Sequence, residues 1–326
     1  MNTVSTILTM ADRLGAWKVR WRINRMNYTF EPGIYAVNNP GADSVVLVSA
    51  NYKLSFDVLR SQLEGLDAWI LVLDTKGVNV WCAAGKGTFG TDELVKRIES
   101  SDLAKLVSHR NLIVPQLGAV GVSAHEVRKK SGFTVIYGPV HAADIKAFIA
   151  AGMKATESMR QVRFSVYDRL VLTPVEFVNS FKYLLLAVIV FFILSGLHTR
   201  SFSSRLMLHN GIIAVAVLVS AYAGGAILGP LLLPWLPGRS FALKGALLGF
   251  ALTAVLWGIG LTGSLPQTAI WLPLIISIAS FLVMMFTGSS TYTSLSGVRK
   301  EMRIAVPLQM LSAAAGLILW IGSRLV

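Results

Sequence analysis

Apolar and polar positions divide the chain into two parts. Up to about residue 175, short apolar runs alternate with amphipathic stretches, and beyond it apolar positions become nearly continuous. Residues 44–48, 68–73, 112–114 and 133–137 are compact aliphatic runs, whereas 54–63, 92–99, 123–130 and 142–150 carry apolar residues at helical spacing. That alternation predicts βαβ units and hence a Rossmann-like α/β head with a parallel sheet covered on both faces. Thr91, followed by two acids, is expected to N-cap the helix after it. Nearer the start, Trp17, Val19, Trp21 and Ile23 alternate with Lys18, Arg20 and Arg22. The period of two predicts a strand with one basic face, either a solvated edge or a surface for lipid headgroups or a partner. Residues 4–14 lack the long apolar core and small-residue cleavage site of a signal peptide.

The second part contains five apolar stretches near or above bilayer-spanning length, at about 181–197, 211–233, 241–260, 270–285 and 306–321. The expected organisation is a head at 1–165, a linker at 166–180 and an all-α transmembrane domain of five helices at 181–326. Small residues such as Gly224, Gly225, Gly245 and Gly249 would let those helices pack closely. No acid falls at mid-depth in these spans, so they suggest an anchor, with or without a partner-binding role, instead of an ion pathway.

Charge changes the picture little. The net charge is +13, with 30 Lys and Arg against 17 Asp and Glu, but no nucleic-acid motif accompanies it. Much of the excess flanks the apolar spans, so attraction to anionic lipid is the simpler account. The chemistry is more telling. Cys82 is the only cysteine in 326 residues, so there is no intramolecular disulfide and no set of four thiolates for an iron-sulfur cluster. A solitary cysteine is often an interchangeable small core residue. Here it sits in Asn79-Val80-Trp81-Cys82-Ala83-Ala84-Gly85-Lys86-Gly87, where glycines permit close approach, Trp81 offers a flat apolar face and Lys86 brings a cation near the thiol. Cysteine serves as a metal ligand in such settings.

This stretch, continuing as Gly87-Thr88-Phe89-Gly90-Thr91, resembles the cap-helix signature of the mercury-methylating corrinoid proteins, the HgcA family. The likeness runs from about Tyr28 to Arg163 and includes Asn51-Tyr52-Lys53-Leu54-Ser55-Phe56-Asp57, Pro115-Gln116-Leu117-Gly118 and Tyr137-Gly138-Pro139. The resemblance implies a base-off cobalamin or related corrinoid with the Cys82 thiolate as lower axial cobalt ligand. It also implies methyl transfer to inorganic mercury(II), and a ferredoxin-like partner with two four-iron, four-sulfur (4Fe-4S) clusters as reductant. The methyl donor would be a separate methyltransferase system. Expected cofactor contacts are Ser49, Ser55, Asn79, Trp81, Cys82, Ala83, Gly85, Lys86, Gly118, Gly138 and Ala142, several of them at the carboxyl ends of predicted strands, where open α/β sheets bind ligands. Ser49 and Ser55 either bond the corrin periphery or make local backbone bonds. Trp81 packs on the macrocycle or fills core, and Asn79 is expected to hold the segment through backbone hydrogen bonds. Lys76, Lys86 and Arg97 are candidates for steering an acidic ferredoxin.

Rival motifs are weaker. Gly85-Lys86-Gly87-Thr88-Phe89-Gly90 matches the dinucleotide fingerprint literally, but about ten residues separate it from the preceding strand, and Lys86 lacks the Walker context. The histidines at 109, 125, 141, 198 and 209 have neither a cobalt-ligating nor a zinc-binding context. Two alternatives remain: a corrinoid methyl carrier with another acceptor, and a non-enzymatic membrane sensor that binds a small ligand.

Five spans place the two chain ends on opposite sides of the membrane. With the head cytoplasmic and the spans in an inner membrane, the inside flanks collect Arg160, Arg163, Arg169, Lys182, Arg239, Lys244, Arg299, Lys300 and Arg303, leaving Arg200, Arg205 and Arg324 outside. The positive-inside rule selects this orientation. Reporter fusions after residue 165 and at Val326 should therefore give opposite answers, and matching answers would mean a miscounted span.

Overall fold

The structure, a computed structural model, describes residues 2–199, 201–291 and 293–325; Arg200 and Val326, used in the orientation argument, lie outside the described residues. The chain forms two compact units that meet in sequence at Arg163 and Phe164.

The head contains, in order, β1 (Asn2–Val4), α1 (Met10–Arg20), β2 (Gly33–Val37), β3 (Val45–Ala50), α2 (Lys53–Ser61), β4 (Ala68–Leu73), α3 (Val80–Lys86), α4 (Thr91–Ser100), α5 (Leu103–Leu106), β5 (Asn111–Val114), α6 (Ala124–Ser131), β6 (Thr134–Tyr137) and α7 (Ile145–Ala150). The six strands pair in the order β1-β2-β4-β3-β5-β6. The four strands read from the sequence run parallel to one another. The sheet is nevertheless mixed, because β2, which the sequence reading passed over, pairs antiparallel to β4, and β1 pairs with β2.

Both faces of the sheet are covered. Alternate strand residues Val46, Val48, Trp69, Leu71, Leu112 and Val114 join Ala83, Ala84, Leu94, Ile98 and Val127 in one core. On the other face Leu47, Ile70, Val72 and Ile113 pack with Phe56, Leu59 and Phe148. Burial on both sides explains why these strands read as unbroken aliphatic runs. The chain turns from β3 to β4 on one side and returns to β5 on the other, so a topological switch lies between β3 and β5 at their carboxyl ends.

Two local expectations are corrected. Residues 17–23 do not form a strand. Thr9 and Asp12 form a reciprocal capping box that starts α1, and the short alternation reflects a helix that buries Val19 while leaving Trp17 exposed. Thr91 is not an N-cap, since Gly90 takes that place, and the Thr91 hydroxyl accepts the Ser123 N–H at 2.9 Å. It thereby ties α4 to the start of α6.

The second unit comprises α8 (Val166–Leu194), a two-residue hairpin of β7 (Leu197–His198) and β8 (Ser201–Phe202), α9 (Ser204–Ala223), α10 (Gly229–Leu232), α11 (Phe241–Gly258), α12 (Leu265–Met285) and α13 (Leu295–Leu325). A π-helical stretch, Gly224–Leu228, joins α9 to α10. Among the described residues, five helical segments are long and apolar enough to cross a membrane. Residues 166–180 are not a linker but the first half of α8, begun by a Ser165–Asp168 capping box. Its polar residues sit on a helix that continues without interruption into the apolar part. Gly245 and Gly249 let α11 approach α12 closely, since a Cβ would stand 2.6 Å from the Ala279 carbonyl or 2.8 Å from Ile276 Cα. Besides Asp168 in the first turn of α8, two acids lie within these longer helices: Glu176 accepts from Ser289, and Glu301 caps α11 by accepting from Ser240 and the Ala242 N–H.

In the head, α1 is held by a charge cluster. Asp12 pairs with Lys53 and with Arg60, and those two cations also pair with Asp57. Arg60 also donates to the carbonyls of Ser5 and Ile7. Burial pushes the Asp12 carboxyl up, but hydrogen bonds from Lys53, Thr9 and Arg60 outweigh burial and hold it well below the usual carboxylate range. A carboxylate depressed in the folded state stabilises fully above its unfolded value of about 3.9, and that contribution fades as pH falls toward the folded value. Asp12→Asn should cost roughly 2–3 kcal/mol at neutral pH and flatten the acid limb of the stability profile. Limited proteolysis of the detergent-solubilised chain between pH 3 and 7 tests this, and an unchanged acid limb would count against it.

Candidate functional site: the cap helix at the carboxyl edge of the sheet

The seven-residue helix α3 follows β4 after the loop 74–79, and that loop is built around Asn51 at the end of β3. The Asn51 side-chain carbonyl accepts the N–H groups of Thr75 at 3.0 Å and Gly77 at 3.2 Å, and its amide donates to Asp74 at 3.3 Å. The Thr75 hydroxyl donates to the Val78 carbonyl, and the Asp74 N–H donates to Glu93 of α4. Backbone groups that no ladder satisfies are thus paired by side chains, which makes the loop a rigid mount.

Asn79 caps the helix, its side-chain oxygen accepting the Cys82 N–H at 2.9 Å. Ala83 and Ala84 are buried in the core, whereas Trp81, Cys82, Gly85 and Lys86 face outward. Cys82 is a free, exposed thiol, and Trp81 beside it is 40% exposed. A Cβ at Gly85 would meet nothing within 4 Å, so the surface next to the sulfur is open and low. Gly87 ends the helix at φ 84°, a left-handed conformation that suits glycine. Beneath, Gly121 approaches so closely that a Cβ there would stand 2.1 Å from the Phe89 carbonyl and 3.1 Å from Ala84 Cα. A Cβ at Gly118 would strike the Phe89 ring at 2.5 Å.

The other predicted contacts fall at several depths. Asn79, Ser55 in the first turn of α2 and Ala142 are half-buried. Ser49, Ala83, Gly118 and Gly138 are buried. Asn51 was not among the predicted contacts although it organises the loop; the signal was a buried-strand end followed by an amide side chain. Tyr52 is likewise new. It is 4% exposed, and its phenol oxygen is buried without a hydrogen-bond partner. Burial pushes this phenol up; Arg25 and Arg20 act against that, while Tyr28 and Cys82 add to it. Of the three steering cations, Lys76 pairs with Asp74 and Arg97 with Glu93, each at 2.7 Å. Lys86 has no acidic partner among the described residues. Among those residues no cluster of three or more His, Cys, Asp or Glu is placed to hold a metal ion.

A family model described as CO dehydrogenase/acetyl-CoA synthase delta subunit matches residues 24–149, within the head. The head resembles part of that family. Relatives include the acetyl-CoA decarbonylase/synthase complex subunit gamma of Archaeoglobus fulgidus, 32% identical over 121 residues, covering 36% of this chain and 25% of the relative. The Methanopyrus kandleri subunit of the same name is 31% identical over 121 residues, covering 36% and 26%. The corrinoid/iron-sulfur protein large subunit of Moorella thermoacetica is 30% identical over 122 residues, covering 37% and 26%. The chain thus spans about a quarter of the length of the curated relatives it matches. Those relatives are named for acetyl-CoA and corrinoid chemistry, not for mercury.

Loss of the Asn79 cap should loosen α3 by about 1 kcal/mol without unfolding the head. In Asn79→Ala, amide exchange at residues 82–86 should accelerate about fivefold, while Asn79→Asp should restore protection. Equal exchange in all three proteins would show that the cap contributes nothing.

Proposed function

We propose that this chain is a membrane-anchored, corrinoid-dependent methyltransferase that transfers a methyl group to inorganic mercury(II), with its head on the cytoplasmic side of an inner membrane. The observation carrying the reading is the exposed Cys82 sulfur on a capped, core-seated helix at the ligand-binding edge of the sheet. The head's likeness to a corrinoid/iron-sulfur protein supports the cofactor class. When bound, a corrinoid supplies a cobalt centre that can accept and release a methyl group.

The outward face of α3 suits a flat macrocycle: small Gly85 leaves room beside the sulfur, and Trp81 offers an apolar plane. Cys82 would serve as the lower axial thiolate ligand, with base-off binding. Asn79 holds its backbone, and the buried Ala83 and Ala84 keep the helix from rolling. At the start of α2, Tyr52 has a buried oxygen without a hydrogen-bond partner and Ser55 is half-buried. A corrinoid held by the Cys82 thiolate would supply a methyl group suited to a soft electrophile such as mercury(II).

With its only cysteine so assigned, the chain has no thiolate for a redox cluster or for delivering mercury. A ferredoxin-like protein with two 4Fe-4S clusters would supply both electrons and thiols. Lys86 is the cation best placed to steer it, because Lys76 and Arg97 are already paired within the chain. A second reading is favoured by the relatives' names: a corrinoid methyl carrier for another acceptor.

The test is anaerobic, multiple-turnover methylation by the purified full chain with methyl donor and mercury(II), with and without the iron-sulfur partner. Cys82→Ala should lose more than about 100-fold of methylmercury formation while retaining its fold. Comparable product from Cys82→Ala would remove the ligand role, and sustained turnover without partner or artificial reductant would remove the electron route. Bound corrinoid without methylmercury would favour the carrier, and absence of bound corrinoid would favour a sensor.

A further inference from the structure

The N-terminal helix has a face that the head does not use. At about 100° per residue, Met10, Leu14, Trp17 and Trp21 fall within about 40° of one direction. Met10 is 70%, Leu14 53% and Trp17 57% exposed, and Ile7 and Met26, outside the helix, are exposed as well. The Trp17 and Trp21 rings lie 5.8 Å apart, one turn from each other. On the same projection Lys18 flanks the stripe about 80° to one side, and Arg13 and Arg20 flank it about 60–80° to the other. None of these three cations makes an ion pair with an acid among the described residues.

The opposite face fastens α1 to the head. Val19 is 1% exposed, Asp12 is held by Lys53 and Arg60, and a Cβ at Gly15 would stand 2.3 Å from the Tyr28 hydroxyl. Asp12 is also the single acid among residues 1–30. With it turned inward, the outward side presents only apolar groups and cations. The helix is therefore rigidly mounted with an amphipathic surface pointing away from its own core.

We infer that α1 is an in-plane membrane helix, docking the head onto an anionic lipid surface through Met10, Leu14 and Trp17 with Arg13, Lys18 and Arg20 on the phosphates. A large apolar stripe bordered on both sides by cations, with tryptophan at its centre, suits the boundary between headgroups and acyl chains. The same chain has, among its described residues, five helices long and apolar enough to span a membrane, so a lipid surface is the partner its composition favours. Lysine and arginine next to such a surface are attracted by its negative potential.

The test uses the full chain in nanodiscs of phosphatidylcholine, with or without phosphatidylglycerol. A nitroxide is placed at position 14 in Leu14→Cys, Cys82→Ser protein, with Glu64→Cys in the same background as an exposed reference. In discs containing phosphatidylglycerol, the label at 14 should be relaxed more by lipid-soluble oxygen than by a water-soluble nickel chelate, while the label at 64 should show the reverse. High salt, or R13Q/K18Q/R20Q, should move the label at 14 toward the reference, with helix content by circular dichroism confirming that α1 remains folded. A label at 14 as chelate-accessible as that at 64 in phosphatidylglycerol discs would overturn the inference. So would shielding from both reagents already in detergent, which means that protein covers the stripe, or lipid exposure indifferent to charge.

Discussion

The carboxyl edge of the head depends on how one side chain satisfies backbone groups that the sheet leaves unpaired. Asn51 stands where β3 ends, and its amide group binds three residues of the loop after β4. Parallel strands leave their crossover loops without ladder partners, so a loop at this edge is ordered only when side chains supply the missing bonds. Because Asn51 does so, α3 starts from a fixed point, and Asn79 then fixes its first turn. Were the loop slack, the burial of two alanines would be too little apolar area to hold a seven-residue helix in one orientation.

Close backbone approach from below completes the mount. Gly121 lies against Phe89 and Ala84 where no Cβ would fit, and Gly118 lets the Phe89 ring enter the core. The result is a division along a single helix turn: Ala83 and Ala84 inward, Cys82 and Gly85 outward. A thiol displayed this way is positioned by the fold and free of structural duty, which suits a ligand better than a packing residue. Lys76 and Arg97 are ion-paired, so of the three steering candidates Lys86 is the one without an acidic partner among the described residues.

The head is also organised by charge. Asp12, Lys53, Asp57 and Arg60 form alternating pairs that join α1 to α2. Removing one member would leave others partly buried and unmatched, so the cluster acts as one fastening. It also determines which side of α1 meets solvent. The second unit follows different rules: close approach of α11 to α12 at Gly245 and Gly249, and side-chain capping of helix ends by Glu301 and Ser165.

Much of this was written in local pattern. Periodicity located β4 to the residue and β3, β5 and β6 to within two, because strands buried on both faces must be aliphatic throughout. Five apolar stretches were equally legible, since a bilayer-length run is a property of composition. Residues 17–23 misled because a seven-residue alternation also fits a helix with one face inward, and the Thr9–Asp12 cap upstream decides between the two. The extent of α8 was obscured because helical hydrogen bonds continue through polar residues that hydropathy assigns to a linker. Cys82 stood out by its uniqueness and its neighbours, but nothing local told whether its sulfur faced core or solvent. That was settled by tertiary structure, through Ala83 and Ala84 packing on the sheet and Gly121 closing beneath them. The antiparallel β2, the partners of Asn51 and the outward turn of α1 were likewise decided only when residues distant in sequence met, because hydrogen bonds and ion pairs across the fold leave no periodic signature in the chain.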